Sequence, residues 1–310
     1  MQKVKAMAYA TIANLGPGFD VFGICVDIGY DVVELEVTGR ESRVEVSGIG
    51  SEGIPLDLEQ NTAGLVVKQM LKDFNLKKGA FMRIRKGVKP GSGLGSSAAS
   101  AAAAAVAFDR LFGLRLSQHE LIRYASLGEM ASAGVAHADN VAPAILGGFT
   151  IVRSYDPLDV VKLNPPRGLS LCVAIPDVEL PTRVARFVLP NEVPLRSFVH
   201  NVGNAASLVV GMAKGDIDLI GRSIDDVIVE PARANLIPGY DSVKKYAKKA
   251  GAAGITISGA GPSMVAIVNS KKAGPKQVAQ AMKKGFEEAG VKAEAHVSKP
   301  AHGAKILGAR

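Results

Sequence analysis

The stretch that most constrains this chain is residues 90–107, PGSGLGSSAASAAAAAVA. A proline opens it, glycines at 91, 93 and 95 alternate with Ser92 and Leu94, and Ser96 and Ser97 lead into a run dominated by alanine. Glycine lacks a Cβ and tolerates positive φ, so such a loop can bring backbone N–H groups close to a ligand. A helix expected from Ser97 to about Leu111 adds unpaired N–H groups and the positive end of its dipole. Together these read as an anion cradle. The competing reading is a Gly-rich turn that merely caps a buried helix, although one serine would suffice for that. Alanine on every face lets neighbouring backbones approach closely, which makes this helix central to the fold.

Known phosphate loops can be tested against the stretch. No lysine stands where a GxxxxGK[ST] loop requires one, and Ser96 occupies the third glycine position of GxGxxG. The HRD and DFG tripeptides of protein kinases are absent. What remains, PGSGLGSSAA, resembles the second motif of the GHMP small-molecule kinases, the family of galactokinase, homoserine kinase, mevalonate kinase and phosphomevalonate kinase. The resemblance implies that Pro90, Gly91, Ser92, Gly93, Leu94, Gly95, Ser96 and Ser97 wrap the phosphates of ATP. It also gives the Ser97 hydroxyl, which would cap the helix in any protein, a second role as a ligand of Mg²⁺.

Two further stretches carry the same resemblance. Residues 10–20, ATIANLGPGFD, place Asn14 and Asp20 on either side of a Gly-Pro-Gly turn. Taken alone these are ordinary turn residues. The stretch is similar to the first family motif, in the form typical of the homoserine kinases, and this implies that Asn14 and Asp20 contact an amino-alcohol substrate. Whether each meets a hydroxyl or an ammonium stays open. Residues 258–263, SGAGPS, sit between two short apolar runs as a hairpin turn and are similar to the third motif, which closes the active site from the second half of the chain.

Taken in order, 3–10 and 30–38 read as strands, with 43–46 expected to pair with the second. Residues 61–74 have the spacing of an amphipathic helix, for which Asn61 or Thr62 is the cap. The resemblance adds an adenine contact as an alternative role for Asn61. Residues 80–86 read as the strand feeding the loop, and Lys86 at its end faces either nucleotide or solvent. In the helix over 117–132, Glu129 stands among Ala, Gly and Met, and an unpaired carboxylate there is costly. Mg²⁺ takes hard oxygen ligands and few carboxylates beside the ATP phosphates. Glu129 with Ser97 fits that pattern, as in the family, and an exposed loop glutamate is the bland alternative. His137 and Asn140 follow in a segment similar to the substrate-pocket wall of homoserine kinases, although a packed or surface histidine is the commoner finding.

In the second half, 169–175 is an apolar run expected as a central strand. Thr182, Arg183 and Arg186 form a cationic helix start that surface charge alone would also explain. The matching family pattern implies Thr182 near the transferred phosphoryl group and Arg186 on the substrate carboxylate. Helices are expected over 198–214 and 216–229, followed by Arg233 beside a Pro-initiated turn. The planar fork of arginine binds both oxygens of a carboxylate, and Arg186 with Arg233 would clamp an amino acid. Residues 275–289 read as a helix and 291–299 as an edge strand. The final segment, 302–310, shows no motif.

A net charge of +8 raises the question of nucleic acid, but the lysine pairs at 244–245, 248–249 and 283–284 have no interleaved aromatic residues and read as solvated helix faces. Cys25 and Cys172 lie in apolar runs and read as small buried hydrophobes. The absence of a secretory pattern and of a long apolar span makes a cytoplasmic protein the expectation, with no membrane partner.

The resemblance covers nearly the whole chain. It implies an α+β, two-domain GHMP kinase fold, with an N-terminal domain like the second domain of ribosomal protein S5 over 1–155 and a ferredoxin-like C-terminal domain over 156–310. The implied activity is ATP-dependent phosphorylation of the side-chain hydroxyl of L-homoserine, on the route to threonine, with Mg²⁺ as cofactor and a homodimer as the assembly. Another kinase of the superfamily, acting on mevalonate or shikimate, is the alternative.

Overall fold

In the computed structural model, which describes residues 3–133 and 137–308, the chain folds on two sheets. KVKAMAYATIA forms β1 (Lys3–Ala13), and the strand read over YDVVELEVT begins earlier, at Phe22, with a continuously buried segment, to give β2 (Phe22–Thr38). The two pair antiparallel, with a register shift between Tyr9 and Ala10. Next come β3 (Arg43–Gly48), α1 (Thr62–Asp73) and β4 (Gly79–Lys86). The expected pairing of 43–46 with 30–38 does not form, because β4 takes that side of β2 and β3 lies parallel to β4 beyond it. A parallel neighbour needs a crossover connection, and α1 supplies it.

Three helices follow: α2 (Ser96–Phe112), α3 (Gln118–Ala133) and α4 (Ala138–Leu146). Ala98, Ala99 and the alanines from 101 to 105 on α2 have no exposed surface. Methyl-only faces let β1, β2 and the three flanking helices close on α2 from all sides, and Met70, Phe108, Ile122 and Phe149 fill the remaining volume. The first sheet is completed by β5 (Phe149–Tyr155), which pairs with the start of β2, and β6 (Leu158–Leu163), which pairs with β5. The boundary read at 155/156 thus falls at the turn of this hairpin.

The second half comprises β7 (Leu169–Pro176), α5 (Thr182–Phe187), α6 (Leu195–Lys214), α7 (Ile217–Arg222), α8 (Val229–Ala234), α9 (Tyr240–Lys249), β8 (Gly254–Ile257), β9 (Met264–Asn269), α10 (Pro275–Glu288) and β10 (Ala293–Ser298). Its sheet is antiparallel, in the order β10-β7-β9-β8. Leu171, Val173, Val265 and Ile267 face the main core, while Cys172, Ala174, Met264 and Ala266 face a second core with Val243, Met282 and Phe286. Both faces of β7 and β9 are therefore covered, which explains their continuous apolar runs.

The helix expected over 216–229 stops at Arg222, and a separate helix, α8, begins at Val229. The Asp226 carboxylate accepts the N–H groups of Ile228, Val229 and Glu230 and so starts α8 anew. The tail contains β11 (Lys305–Leu307), which pairs with the free edge of β1. Among the described residues no helix is long and apolar enough to cross a membrane.

Candidate active site

The glycines of residues 91–95 do what their spacing demands. All three have positive φ, at 66°, 80° and 62°. A Cβ on Gly93 would lie 2.4 Å from the carbonyl oxygen of Ser258, and one on Gly95 would lie 2.0 Å from Thr11 Oγ1. The loop is therefore pressed against β1 on one side and the 258–263 hairpin on the other, where Ser258 Oγ donates to the Gly93 carbonyl over 2.8 Å. Ser92 Oγ donates to the Lys89 carbonyl and Ser96 Oγ to the Val88 carbonyl, each at 2.7 Å. Gly95, in the left-handed region, is the N-cap of α2, with no side-chain cap bond. The capping role expected of Ser97 is thus absent, and its hydroxyl donates instead to Glu129 Oε2 at 3.0 Å.

This loop walls a cavity of about 590 Å³ between the two halves of the chain. Pro90, Gly91, Ser92, Gly93, Gly95, Ser96 and Ser97 line it, together with Asn61, Lys86 and Glu129. Leu94 is not among the lining residues: its side chain is buried, and its carbonyl accepts the Thr11 N–H at 3.0 Å. Asn61 is the cap of α1, accepting from Gly64 N at 3.0 Å and donating to the Pro55 carbonyl at 2.8 Å. Lys86 does not face solvent. It is buried, paired with Asp31, and donates to the Ser96 carbonyl at 2.8 Å.

Glu129 is buried, not an exposed loop residue. Burial pushes its carboxyl up to about 7, against the opposing effects of the Ser97 bond and the Lys86 charge. Among the described residues no cluster of three or more His, Cys, Asp or Glu side chains could hold a metal by itself. The Ser97 hydroxyl and the Glu129 carboxylate are both hard oxygen donors on the same cavity. That donor set fits a magnesium ion completing its shell with phosphate and water.

Asn14, Asp20, His137, Asn140, Thr182, Arg186 and Arg233 line the same cavity. Asn14, Leu15 and Asp20 have positive φ (69°, 49° and 56°), strain that costs about 1 kcal/mol or more per residue and clusters at functional turns. Asn14 latches the turn: Oδ1 accepts the Asp20 N–H at 3.1 Å, and Nδ2 donates to the Gly259 carbonyl at 2.8 Å. Arg186 Nη2 contacts both Asp20 oxygens, at 2.8 and 2.9 Å, and lies 3.4 Å from each nitrogen of the His137 ring. Its Nε is buried and has no hydrogen-bond partner among the described residues.

Arg233 is 2 % exposed and donates to the carbonyls of Ala185 (Nε, 3.0 Å) and Gly259 (Nη1, 3.1 Å). Burial pulls its pKa down to about 10, and the neighbouring Arg186 adds to the shift. Both guanidiniums sit beside the Phe19 ring, with centroid distances of 5.2 and 5.4 Å. His137 is buried, and burial pulls its pKa below the ordinary value. Asn140 Oδ1 accepts from Thr11 Oγ1 at 2.9 Å. Thr182 is exposed at the first position of α5.

The cavity wall also holds residues that sequence reasoning passed over. Phe19 lies within the first motif and lends its ring to both arginines. Asp139 is buried beside Asn140, and burial, with the Asp20 charge adding to it, pushes its carboxyl up to about 7. Its signal was adjacency to a residue already singled out.

A glycine loop with a helix behind it, a serine–carboxylate pair and a polar pocket across the cleft define a small-molecule phosphotransferase. Residues 61–148 match the GHMP kinases N terminal domain and 208–288 the GHMP kinases C terminal domain, so the chain belongs to the GHMP kinases. Kinases of this family use ATP. Within the family the chain stands with the homoserine kinases. It is 48% identical to homoserine kinase of Methanococcus maripaludis over 86% of this chain and 88% of that one. It is 45% identical to that of Methanocella arvoryzae over 99% of this chain and 98% of the other. The crystal structure of homoserine kinase from Cytophaga hutchinsonii superposes with a TM-score of 0.93 at 42% identity, covering 99% of this chain and 98% of that one.

Proposed function

We propose that the chain transfers the γ-phosphoryl group of ATP to the side-chain hydroxyl of L-homoserine. The observation that carries the substrate assignment is Arg186, whose buried Nε is unpartnered, paired with the Asp20 carboxylate beside a second buried guanidinium, Arg233. The α-carbon of an amino acid carries a carboxylate beside an ammonium, and Arg186 beside Asp20 is the complementary arrangement. The Asp20–Arg186 pair is about a third exposed. Such a pair is worth on the order of 1 kcal/mol, little enough for substrate to exchange into it. Asp20 then takes the ammonium, while Arg186 and Arg233 take the carboxylate, with Asn14, His137 and Asn140 shaping the pocket.

Gly91 through Ser97 hold the triphosphate through backbone N–H groups, Pro90 lines the cavity beside them, and Asn61 and Lys86 border the nucleotide. Ser97 and Glu129 hold Mg²⁺, which when bound neutralises phosphate charge. Thr182 flanks the transferred group. Phosphoryl transfer needs little beyond positioning and charge stabilisation, and both are built into rigid elements here. The test is ADP formation that depends on both L-homoserine and Mg²⁺, with the product identified by phosphorus NMR.

The assembly fits a homodimer. α6 exposes Leu195, Phe198, Val199, Val202 and Val210 along one face. Gly203, near its middle, has nothing within 4 Å of where a Cβ would sit, so a second α6 can cross closely there. The division read at 155/156 moves to after β6, whose pairing with β5 keeps it in the first domain, and the protein works in the cytoplasm.

A further inference from the structure

Asp31 lies in β2, belongs to none of the three motifs and has no exposed surface. Its carboxylate nevertheless meets both stems of the phosphate loop. Oδ1 accepts the N–H groups of Gly87 at 2.9 Å and Val88 at 3.1 Å, where β4 turns into the loop. Oδ2 accepts from Ser100 Oγ at 2.6 Å and pairs with the Lys86 ammonium. Lys86 also donates to Ser100 Oγ and to the Ser96 carbonyl, both at 2.8 Å. The ring closes where Ser96 Oγ donates to the Val88 carbonyl at 2.7 Å. The entry stem, 86–88, and the exit stem, 96–100, are thus tied at one carboxylate, and the glycine-rich tip spans the gap between them.

A buried ion pair is weak evidence for stability, because desolvation offsets its attraction and an apolar pair would fill the space as well. What this pair supplies is fixed geometry at a place where the chain is otherwise permissive. Three glycines give the tip little intrinsic stiffness, so its shape is set by its stems and by its contacts with β1 and the 258–263 hairpin. Backbone donors help only if they are aimed before the charge arrives. Burial pulls the Lys86 pKa down, and the Asp31 charge opposes that shift.

We infer that Asp31 is a positioning residue for nucleotide binding: acting through Lys86, Ser100 and the Gly87 and Val88 amides, it sets the spacing of the loop stems and so aims the tip at the triphosphate. This rests on reading the loop as the ATP site. Asp31 itself touches neither substrate.

The test measures KM for ATP and for L-homoserine separately in the full chain, in Asp31→Asn and in Ser100→Ala, with thermal midpoints and amide hydrogen exchange over residues 87–95. Asp31→Asn keeps an acceptor for the two amides but removes the charge that holds Lys86. It raises the ATP KM about tenfold, as expected for a small misplacement of binding groups, and leaves the homoserine KM within about twofold. Ser100→Ala, in a helix already built of alanines, raises the ATP KM about threefold, the scale of one lost hydrogen bond. In both variants exchange over 87–95 is faster. Lowered thermal midpoints with ATP KM unchanged would overturn the inference. Should Asp31→Asn not fold, an unchanged ATP KM and unchanged exchange in Ser100→Ala overturn it alone. Wild-type protein that consumes no ATP with any acceptor would overturn the reading of the loop instead.

Discussion

Arg186 Nη2 lies 2.8 Å from Asp20 Oδ1, although the two residues are 166 positions apart. One belongs to the first motif and the other to the helix after β7, so the cleft between the halves is pinned by the groups assigned to the amino acid. Replacing Arg186 by Gln removes the charge and the bidentate fork. The homoserine KM then rises about a hundredfold, in line with losing a charge-assisted contact of roughly 3 kcal/mol. The ATP KM stays within about twofold. Steady-state kinetics with each substrate varied in turn checks this, and parallel increases in both constants would remove Arg186 from the amino-acid pocket.

Glu129 and Asp139 give the protein a definite pH signature. Each carboxyl is raised by burial to about 7 in the folded chain, above its ordinary value of 4.5 or 3.8. The folded state therefore binds protons that the unfolded state has already released. This contribution to stability is fully present below those ordinary values and is lost as pH rises through about 7. Melting of metal-free protein between pH 5 and pH 8 checks it: the wild-type midpoint falls more steeply with pH than that of Glu129→Gln, on the scale of about one pH unit per 1.4 kcal/mol per group. Identical slopes would contradict the raised carboxyl.

The proposed role of Glu129 as a magnesium ligand ties activity to the same carboxyl. A magnesium ligand must be the carboxylate, so activity at limiting Mg²⁺ rises with pH through about 7, and saturating Mg²⁺ moves the rise to lower pH. Glu129→Gln lowers kcat about a hundredfold and abolishes that dependence. A wild-type kcat for the variant at saturating Mg²⁺ would exclude Glu129 as a ligand.

The loop glycines are not equivalent. Gly93 and Gly95 each have positive φ and backbone or side-chain atoms within 3 Å of the Cβ position, whereas the nearest atom to a Cβ on Gly91 is 3.8 Å away. Gly91→Ala meets only the left-handed strain, about 1 kcal/mol, and retains ATP binding. Gly93→Ala and Gly95→Ala must also displace Ser258 or Thr11, and they lose ATP binding with a drop of about 3 kcal/mol in stability. Calorimetric ATP titrations and denaturant melts of the three variants check the order.

The apolar face of α6 makes its own prediction. Phe198→Lys, on an exposed side chain, yields monomers by analytical ultracentrifugation where the wild type sediments as a dimer. Its folding is unaffected, since surface substitutions away from packed features stay within about 0.5 kcal/mol. A monomeric wild type would contradict the dimer.

The parts legible in the sequence were those with local physical causes. Gly91, Gly93 and Gly95 announce a loop because their spacing is needed for positive φ, and the alanines after Ser97 announce a helix that others must approach. Apolar alternation located β4 and the second half of β2. Leu94 lies inward, flanked by two glycines at positive φ and with its carbonyl bonded to the Thr11 N–H of β1, a contact the sequence does not announce. The partner of β3 was not legible, since 39–42 are compatible with a hairpin and only the packing of α1 selects the crossover. Three residues are too few for β11 to show a period. The helix expected over 216–229 stops at Arg222, and Asp226, by accepting the first N–H groups of α8, fixes where the next one starts. Asp31 was invisible because its partners lie 55 to 69 positions away.

The most direct test of the account is a coupled ADP-release assay with ATP, Mg²⁺ and, in separate reactions, L-homoserine, mevalonate, shikimate and galactose. The account predicts turnover with L-homoserine, with the phosphate on its side-chain oxygen, and little with the other three. No turnover on L-homoserine while another of these alcohols is phosphorylated would contradict it.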